Sequence, residues 1–377
     1  MWPGWCFYAS CEMNPRNPIW REIGTLSAYI TRCQSVFQTW EPDNDLVVLF
    51  DPPYTGKQMS VHNAAEWFHC PGGLGARAKE LYEAGYQFDY ASPRMLKAQP
   101  ALKDRMDAAK AVKSPFGGLD GVGSVRLRKD GVRLYFVVSE KHDLHIGAER
   151  PFEVMDPMTG EISSLTDYWL EKGASCFVRL DSRPALAVSD RAPSVRPPLA
   201  VGASGWTVRP LAGGPVLPPA TNLTGLVSWT QWDDAFSGTM LYEATFDCCD
   251  EGAAAELDLG DVREIARVRV NGRDLGCRLL APYRFRIPAG VLKSKDNRLE
   301  VEVTNLGANR LRWNDLNHVN WKYFTDINMV DYDYKPLDAA KWQVLPSGLL
   351  GPVTLRSDRT GKLVFHLDFN TVQMTHA

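Results

Sequence analysis

The stretch that decides the fold is ARVRVNGRDLG at residues 266–276, in which apolar and charged side chains alternate before an Asn-Gly pair. Ala266, Val268 and Val270 occupy every second position, with arginines between them. Since successive side chains of a strand point to opposite faces, this pattern predicts a half-buried β-strand. The Asn-Gly pair tolerates positive φ, so a tight type I′ turn should follow.

The same period of two recurs downstream in YRFRI at residues 283–287 and LEVEV at residues 299–303. Arginines fill the outer positions of the first run and glutamates those of the second, so such rows are expected to pair across strands and fix their register. Short antiparallel strands with polar outer faces predict a jelly-roll-like sandwich, assigned here to a domain of residues 226–377.

Upstream, the runs at residues 125–129 and 132–138 alternate around Asp130-Gly131, which predicts a β-hairpin. Further short β-like runs extend this to a small β-sandwich over residues 122–192. The proline-rich residues 193–225 are typical of a linker, with room for a strand around Trp206.

Residues 1–40 are predicted to form an initial segment and one amphipathic helix. Asn17-Pro18 offers a cap followed by proline at the first helical position. Apolar residues then recur at helical spacing, namely Ile19, Ile23, Leu26, Ile30, Cys33 and Phe37. Residues 41–121 contain a strand-like run, a helix and a second strand, which predicts a βαβ-like unit in a partial α/β domain.

The composition excludes several classes of protein. At 377 residues the chain is long enough for two or three domains. Its formal net charge is -3, with lysine and arginine spread along the length, so no nucleic-acid partner is predicted. No apolar run approaches the roughly 20 residues of a membrane span, so no membrane partner is predicted either. The 8 cysteines lack C-x-x-C spacing.

Several runs of the chain resemble the galactose-binding-like, sugar-binding domain of large bacterial glycosidases. They are FSGT (236–239), LDLGDV (257–262), ARVRVNGRDLG (266–276), APYRF (281–285), NRLEVEVTNL (297–306) and PSGLLGPV (346–353). Together they most resemble the C-terminal region of the α-L-rhamnosidase-type enzymes of glycoside hydrolase family 106.

The N-terminal part is similar to the same family. WPGW at residues 2–5 and NPRNPIW at residues 14–20 look like the segment that leaves the catalytic barrel of that family. VHNAAEWF at residues 61–68 looks like its next domain, which resembles glutamine amidotransferases in fold. The resemblance implies a multidomain, mainly β protein with a partial α/β N-terminal part, a small β-sandwich and a galactose-binding-like jelly roll. It also implies an upstream catalytic barrel on the parent chain and a secreted or periplasmic parent family, although no signal peptide pattern opens this sequence.

The candidate carbohydrate-binding residues flank the last predicted sandwich. They are Trp229, Trp232, Asp233 and Asp234 before its first strand, and Arg310, Trp313, Asn314, Asp315 and Trp321 after its last. Aromatic faces cover the C–H surfaces of sugars, while carboxylates and amides bind hydroxyls. The alternative is that these tryptophans pack one domain against another.

No catalytic residue, metal site or cofactor is predicted. Glycoside hydrolysis ordinarily needs two carboxylates across the scissile bond. Glu12 is the one early carboxylate considered, and a role as a polar loop residue is favoured. His62, His69 and Cys70 have weak spacing for a metal site, so structural packing is favoured for them.

Two functions of different class follow. The first is an accessory carbohydrate-binding and scaffolding portion of a glycoside hydrolase acting on rhamnose-containing or related plant or bacterial polysaccharides. The second is an autonomous, non-enzymatic carbohydrate-binding protein. An in-frame barrel-coding region upstream of Met1 would distinguish the first from the second.

Overall fold

The computed structural model describes residues 14–51, 73–189, 199–248, 251–322, 329–331 and 333–357. The described residues up to Ser27 and from Leu199 onward group into one unit, named here the C-terminal unit, and those from Ala28 to Ser189 form the central unit. Both are mainly β. None of the helices in these ranges combines the length and the apolar character needed to cross a lipid bilayer.

The predicted N-terminal helix is confirmed. The side chain of Asn17 accepts a hydrogen bond of 3.0 Å from the backbone N–H of Ile19. A 3-10 turn, Pro18–Glu22, then leads into helix α1, Ile23–Thr39. Asn17 therefore stabilises the helical start in the way that its side chain and the following proline predict.

The buried face of α1 agrees in part with the predicted one. Ile30 is 45% exposed, but Cys33 is buried, and the ring of Phe37 lies 5.6 Å from that of Phe177 between ring centroids. Within the central unit, Tyr29 and Val36 pack into the same apolar cluster. These residues also have helical spacing, so the sequence pattern alone allows a buried face shifted in this way.

The central unit contains the first nine strands among the described residues. They are β1 (Glu41–Pro42), β2 (Leu46–Leu49), β3 (Phe88–Ala91), β4 (Val122–Lys129), β5 (Val132–Ser139), β6 (Asp143–Met155), β7 (Ile162–Leu170), β8 (Ser175–Arg179) and β9 (Ala185–Ser189). Helices α2 (Leu74–Glu83) and α3 (Pro93–Ala98) lie on either side of β3 in sequence, and 3-10 turns at Pro100–Met106 and Ala108–Lys110 follow. Strands β2 and β3 pair in parallel, as the βαβ-like pattern predicts.

The other strands of the central unit form one sheet in the order β1-β4-β5-β8-β6-β7, with β9 beside β6. Strands β4 and β5 pair from Val122↔Ser139 to Lys129↔Val132, which confirms the hairpin around Asp130-Gly131. Strand β1 joins this sheet by pairing antiparallel with β4. The sheet therefore begins before the predicted sandwich boundary at residue 122.

Arg126 on β4 is fully buried, although the alternating pattern places it outward. Its Nη2 donates to the carbonyl of Asp43 at 2.6 Å and to the Asp45 carboxylate at 2.6 Å, and its Nη1 donates to the carbonyl of Val112 at 2.8 Å. A buried guanidinium is tolerated when its donors are satisfied. Arg126 thus ties the sheet to the loop before β2.

The C-terminal unit contains the remaining strands of the described chain. They are β10 (Leu199–Ala200), β11 (Trp206–Gly214), β12 (Thr221–Leu223), β13 (Ser237–Phe246), β14 (Ala255–Asp258), β15 (Asp261–Arg263), β16 (Ile265–Val270), β17 (Arg273–Arg278), β18 (Arg284–Ile287), β19 (Asn297–Thr304), β20 (Gly348–Gly351) and β21 (Thr354–Ser357). Helix α4 spans Ala308–Leu316, and 3-10 turns lie at Trp229–Gln231 and Ala339–Lys341.

These strands pair antiparallel in two main sheets. One has the order β12-β11-β13-β19-β16-β17 and the other the order β10-β21-β14-β18, while β15 pairs with β20. Both sheets contribute to one apolar core, with Tyr242 and Val301 from the first and Leu257 and Phe285 from the second. The unit is therefore a β-sandwich in which the inner faces of the two main sheets meet in one core.

The strand and turn at residues 265–278 agree with the prediction. Strand β16 buries Ala266, Val268 and Val270 completely. Asn271 and Gly272 have φ of 49° and 78°, the positive values that a type I′ turn requires. Strand β17 then pairs back along β16.

The strand predicted around Trp206 is present, but the described residues around it belong to the sandwich and not to a linker. The described residues of the stretch predicted as a linker, 193–225, include β10, β11 and β12, and β11 pairs with β13 inside the sandwich sheet. Trp206 and Val208 face the core, and the pairing shifts register after Pro210. Among the described prolines of this stretch, Pro210 lies at the bulge and the others follow Gly214, positions where a sheet tolerates them.

The charged outer face of the first sheet carries the ion pairs expected from its rows of arginine and glutamate. Arg269 on β16 contacts Glu302 on β19 at 2.8 Å. Glu302 also contacts Arg21 at 2.7 Å, and Glu22 forms an ion pair with Arg267. Glu22 and Glu302 are only 7% and 8% exposed, because the 3-10 turn before α1 lies against this face.

Candidate functional site

Two buried asparagines fix the start of α4 at the end of β19. Asn305 accepts from the backbone N–H of Gly238 at 2.8 Å, and its Nδ2 donates to Ser347 Oγ at 2.9 Å. Asn309 exchanges hydrogen bonds of 2.9 Å with both backbone groups of Leu345. Since buried amide groups must be satisfied, these contacts hold the helix against the strand ends. Runs 236–239 and 346–353, which carry the sequence resemblance, meet here.

Asp315, the residue before the last one of α4, organises the chain that follows. Its Oδ1 accepts from Trp321 Nε1 at 2.6 Å. Its Oδ2 accepts from Lys322 Nζ at 2.7 Å and from the backbone N–H of Ala339 at 2.8 Å. One carboxylate therefore joins the residues after the helix to the 3-10 turn at Ala339–Lys341 with charge-assisted hydrogen bonds.

An open cleft of about 880 Å³ lies between these two segments, within the C-terminal unit. Its described lining residues are Asp315, His318, Val319, Asn320, Trp321, Lys322, Lys335, Pro336, Leu337, Asp338, Ala340 and Lys341. We call it the α4 cleft. Cationic, amide and apolar groups meet in it, a combination that suits small polar ligands with apolar faces.

The carboxylates of the α4 cleft are engaged by neighbouring groups. Asp338 accepts from the backbone N–H of Ala340 at 3.2 Å and contacts Lys341 Nζ at 3.0 Å. The hydrogen bond from Lys341 holds the pKa of Asp338 below its usual range. Asp315 makes the contacts to Trp321, Lys322 and Ala339 described above.

The structure buries one of the sequence-predicted residues in the core of the sandwich. Trp229 is fully buried, and its ring meets Phe236 edge-on at 5.7 Å between ring centroids. It presents no ring face to solvent, so the prediction of sugar contact is corrected. Its polar sequence surroundings suggested exposure, but the 3-10 turn that it begins packs inward.

The predicted residues 232–234, which follow Trp229, also make contacts within the sandwich. Trp232 is half-buried against the core. Asp233 accepts from the backbone N–H groups of Ala235 and Phe236 at 3.0 and 2.9 Å, so its carboxylate stabilises a turn. Asp234 is exposed and lies 3.5 Å from Arg312.

The second set of predicted residues lies on or after α4. Asp315 and Trp321 line the α4 cleft, whereas Arg310, Trp313 and Asn314 do not. Arg310 is half-buried, and burial holds the pKa of its guanidinium below the usual range. Asn314 is buried, and Trp321 is 3% exposed with its indole held by Asp315.

Sequence reasoning missed the cationic side of the cleft. Lys322, Lys335 and Lys341 lie in polar sequence, which is more often a solvated surface. Residues 318–322 and 335–341 are brought together by Asp315, and no local pattern predicts that contact.

No cluster of three or more His, Cys, Asp or Glu side chains suited to a metal ion occurs within the described ranges. Glu12, His62, His69 and Cys70 lie outside those ranges. Cys248, next to Cys249 in sequence, is a buried free thiol.

Comparison with known proteins gives similarity to glycosidases. No protein-family model matches the sequence. A protein of Formosa agariphila described as "Putative beta-glucuronidase" is 40% identical over 94 residues, which is 23% of this chain and 8% of that protein. The similarity is to a glycosidase in general and does not identify family 106.

Solved structures with similar regions include two glycosidases. A rhamnosidase from Novosphingobium sp. PP1Y has 22% sequence identity and a TM-score of 0.46, over 83% of this chain and 31% of that chain. A GH2 beta-galacturonidase from Eisenbergiella tayi has 14% identity and a TM-score of 0.29, over 43% of this chain and 24% of that chain. The chain thus spans less than a third of the length of each of these proteins.

Proposed function

We propose that this chain is the accessory carbohydrate-binding and scaffolding portion of a glycoside hydrolase that acts on rhamnose-containing or related polysaccharides. The α4 cleft is the observation that carries this proposal. It lies on a β-sandwich unit and combines polar groups with apolar surface.

The chemistry of the cleft suits a sugar ring. Val319 is 41% exposed, and together with Pro336 and Leu337 it offers an apolar surface for the C–H groups of a pyranose. Asn320 and Lys322 supply donors and an acceptor for hydroxyl groups. Because the cleft is open, each hydroxyl exchanges water for protein, and a modest affinity follows.

Recognition fits the cleft better than hydrolysis. A general acid must carry a proton at neutral pH. Asp338 has a lowered pKa beside Lys341, and Asp315 is held by Lys322 and Trp321. Both carboxylates therefore serve to shape the cleft and orient its lysines.

The scaffolding part of the proposal is supported by the residues before α1. The run at residues 14–20 resembles the segment that leaves a catalytic barrel, and the next two residues form ion pairs with the sandwich. Arg21 contacts Glu302, and Glu22 contacts Arg267. An upstream domain would thus be joined to the C-terminal unit through a fixed, charged contact.

The similarity over 94 residues to a protein described as a beta-glucuronidase supports the association with polysaccharide breakdown. The identity of the sugar and the parent activity are part of the proposal.

Calorimetric titration of the full chain with rhamnose- and galactose-containing oligosaccharides tests the proposal. We expect binding at millimolar or lower concentration that is weakened by Asn320→Ala and by Val319→Ser, because both side chains face the cleft. Lys79→Ala is the control, since Lys79 is an exposed residue of α2 in the central unit. Binding of no carbohydrate, or equal binding by all variants, would contradict it.

A further inference from the structure

Lysines outnumber carboxylates among the described residues that line the α4 cleft. Lys322, Lys335 and Lys341 line it, against Asp315 and Asp338. Lysine ammonium groups are charged at neutral pH, and each has three N–H donors. A ligand in this cleft therefore meets several cationic donors.

The negative charge in the cleft is already neutralised by the chain. Asp315 accepts hydrogen bonds from Trp321, Lys322 and Ala339 at 2.6 to 2.8 Å. Asp338 is paired with Lys341 at 3.0 Å. These carboxylates do not repel an incoming anion as two unpaired charges would.

Two of the lysines retain capacity for a ligand. Lys322 Nζ donates to Asp315 and to the carbonyl of Leu337, both at 2.7 Å, which uses two of its three N–H groups within the described structure. Lys335 is 74% exposed, and its contact with Asp333 at 3.9 Å is long and exposed. Such a pair contributes little and yields easily to a better partner.

Lys322 is the better positioned of the two. Its ammonium lies 5.3 Å from the centroid of the Trp321 ring and is held by two acceptors. A donor fixed in this way loses little conformational entropy when a ligand binds. Its remaining N–H is thus prepared for an anionic acceptor before a ligand arrives.

From this arrangement we infer that the α4 cleft selects an anionic sugar, a pyranose bearing a carboxylate or a sulfate, over a neutral one. The inference rests on the proposed carbohydrate-binding function. Charge-assisted hydrogen bonds are roughly twice as strong as neutral ones, so the anionic group dominates recognition. Val319, Pro336 and Leu337 then contact the ring, which a free inorganic anion would not use.

The test is calorimetric titration of the full chain with a galacturonate trisaccharide, its methyl ester and a sulfated galactose trisaccharide. The ester keeps the ring skeleton and removes the charge. We expect at least one anionic sugar to bind about tenfold more tightly than the ester, the gain from one charge-assisted hydrogen bond. Raising the ionic strength should reduce the difference, because the cleft is open to solvent.

Matched variants locate the effect. Lys335→Gln and Lys322→Gln should reduce the preference for the anionic sugar several-fold. Lys79→Gln should leave it unchanged, since Lys79 is also 74% exposed but lies in the central unit. Lys335→Gln keeps the test valid if Lys322→Gln perturbs folding, because Lys335 holds no buried group.

The outcomes separate the two claims. Equal binding of the acids and the ester would overturn the preference for anions and leave carbohydrate binding in place. Absence of binding by all three sugars, together with the neutral oligosaccharides, would overturn both. A preference that survives both lysine substitutions would show that it does not arise in this cleft, and the inference would be wrong.

Discussion

Asp315 Oδ1 accepts a hydrogen bond of 2.6 Å from the indole Nε1 of Trp321, and this contact sets the course of the chain after α4. The same carboxylate binds Lys322 and the backbone of Ala339. The α4 cleft therefore exists because one side chain at the end of a helix gathers two loops. Its removal should affect both stability and binding.

Asp315→Asn is expected to lower the free energy of unfolding by about 1–3 kcal/mol, because one acceptor oxygen becomes a donor group and leaves a partner unsatisfied. Chemical denaturation followed by tryptophan fluorescence measures this. Asp338→Asn is the control. Since the side chain of Asp338 is 43% exposed, this substitution should lower the free energy of unfolding by less. Equal effects of the two substitutions would count against the organising role of Asp315.

Trp229 is expected to behave as a core residue. Trp229→Ala should lower the free energy of unfolding by about 3–5 kcal/mol, because it leaves a cavity in the sandwich. Trp229→Phe should lose less stability and keep full affinity for sugar, since the indole is fully buried. The measurement is titration of the folded variant with the best-binding oligosaccharide. A loss of affinity in Trp229→Phe without loss of stability would restore Trp229 as a contact residue.

Glu302 should make the stability of the C-terminal unit depend on pH. Its burial favours the neutral carboxyl, but hydrogen bonds from Arg21 and Arg269 prevail and hold its pKa below the ordinary value of 4.5. A carboxylate with a lowered folded-state pKa contributes stability fully above its unfolded pKa and loses that contribution as the pH falls through the folded value.

The stability difference between the natural protein and Glu302→Gln should thus be largest above about pH 5 and shrink towards about pH 3. Urea midpoints across this range measure it. Asp261→Asn serves as the control because its ion pair with Arg263 is exposed, with 42% and 43% of the two side chains accessible. A difference for Glu302→Gln that does not change with pH would contradict this account.

The repetitive parts of the fold could be predicted from the sequence. The alternation of apolar and charged residues predicted β16, and the Asn271-Gly272 pair predicted the turn that follows it. Asn17 predicted the start of the N-terminal helix. These features depend on residues close together in sequence. Side-chain direction has a fixed period in a strand or helix, and few residue types adopt positive φ readily.

The parts that depend on distant contacts could not be predicted. A strand was expected around Trp206, but the proline content placed it in a linker. Residues 206–214 instead join the sandwich sheet, because Trp206 and Val208 complete its core. Trp229 looked exposed by its neighbours in sequence, but its burial is decided by Phe236 and the core around it. The lysines of the α4 cleft come together through contacts between segments distant in sequence, such as those of Lys322 with Asp315 and with the carbonyl of Leu337.

The central claim, that sugar binds in the α4 cleft, is tested most directly by hydrogen–deuterium exchange of the full chain with and without a saturating oligosaccharide. Backbone amide hydrogens exchange more slowly where a bound ligand restricts local opening of the structure. The account predicts added protection in residues 315–322 and 335–341, which line the cleft. Protection confined to other parts of the chain, or no change at a concentration where calorimetry shows binding, would contradict it.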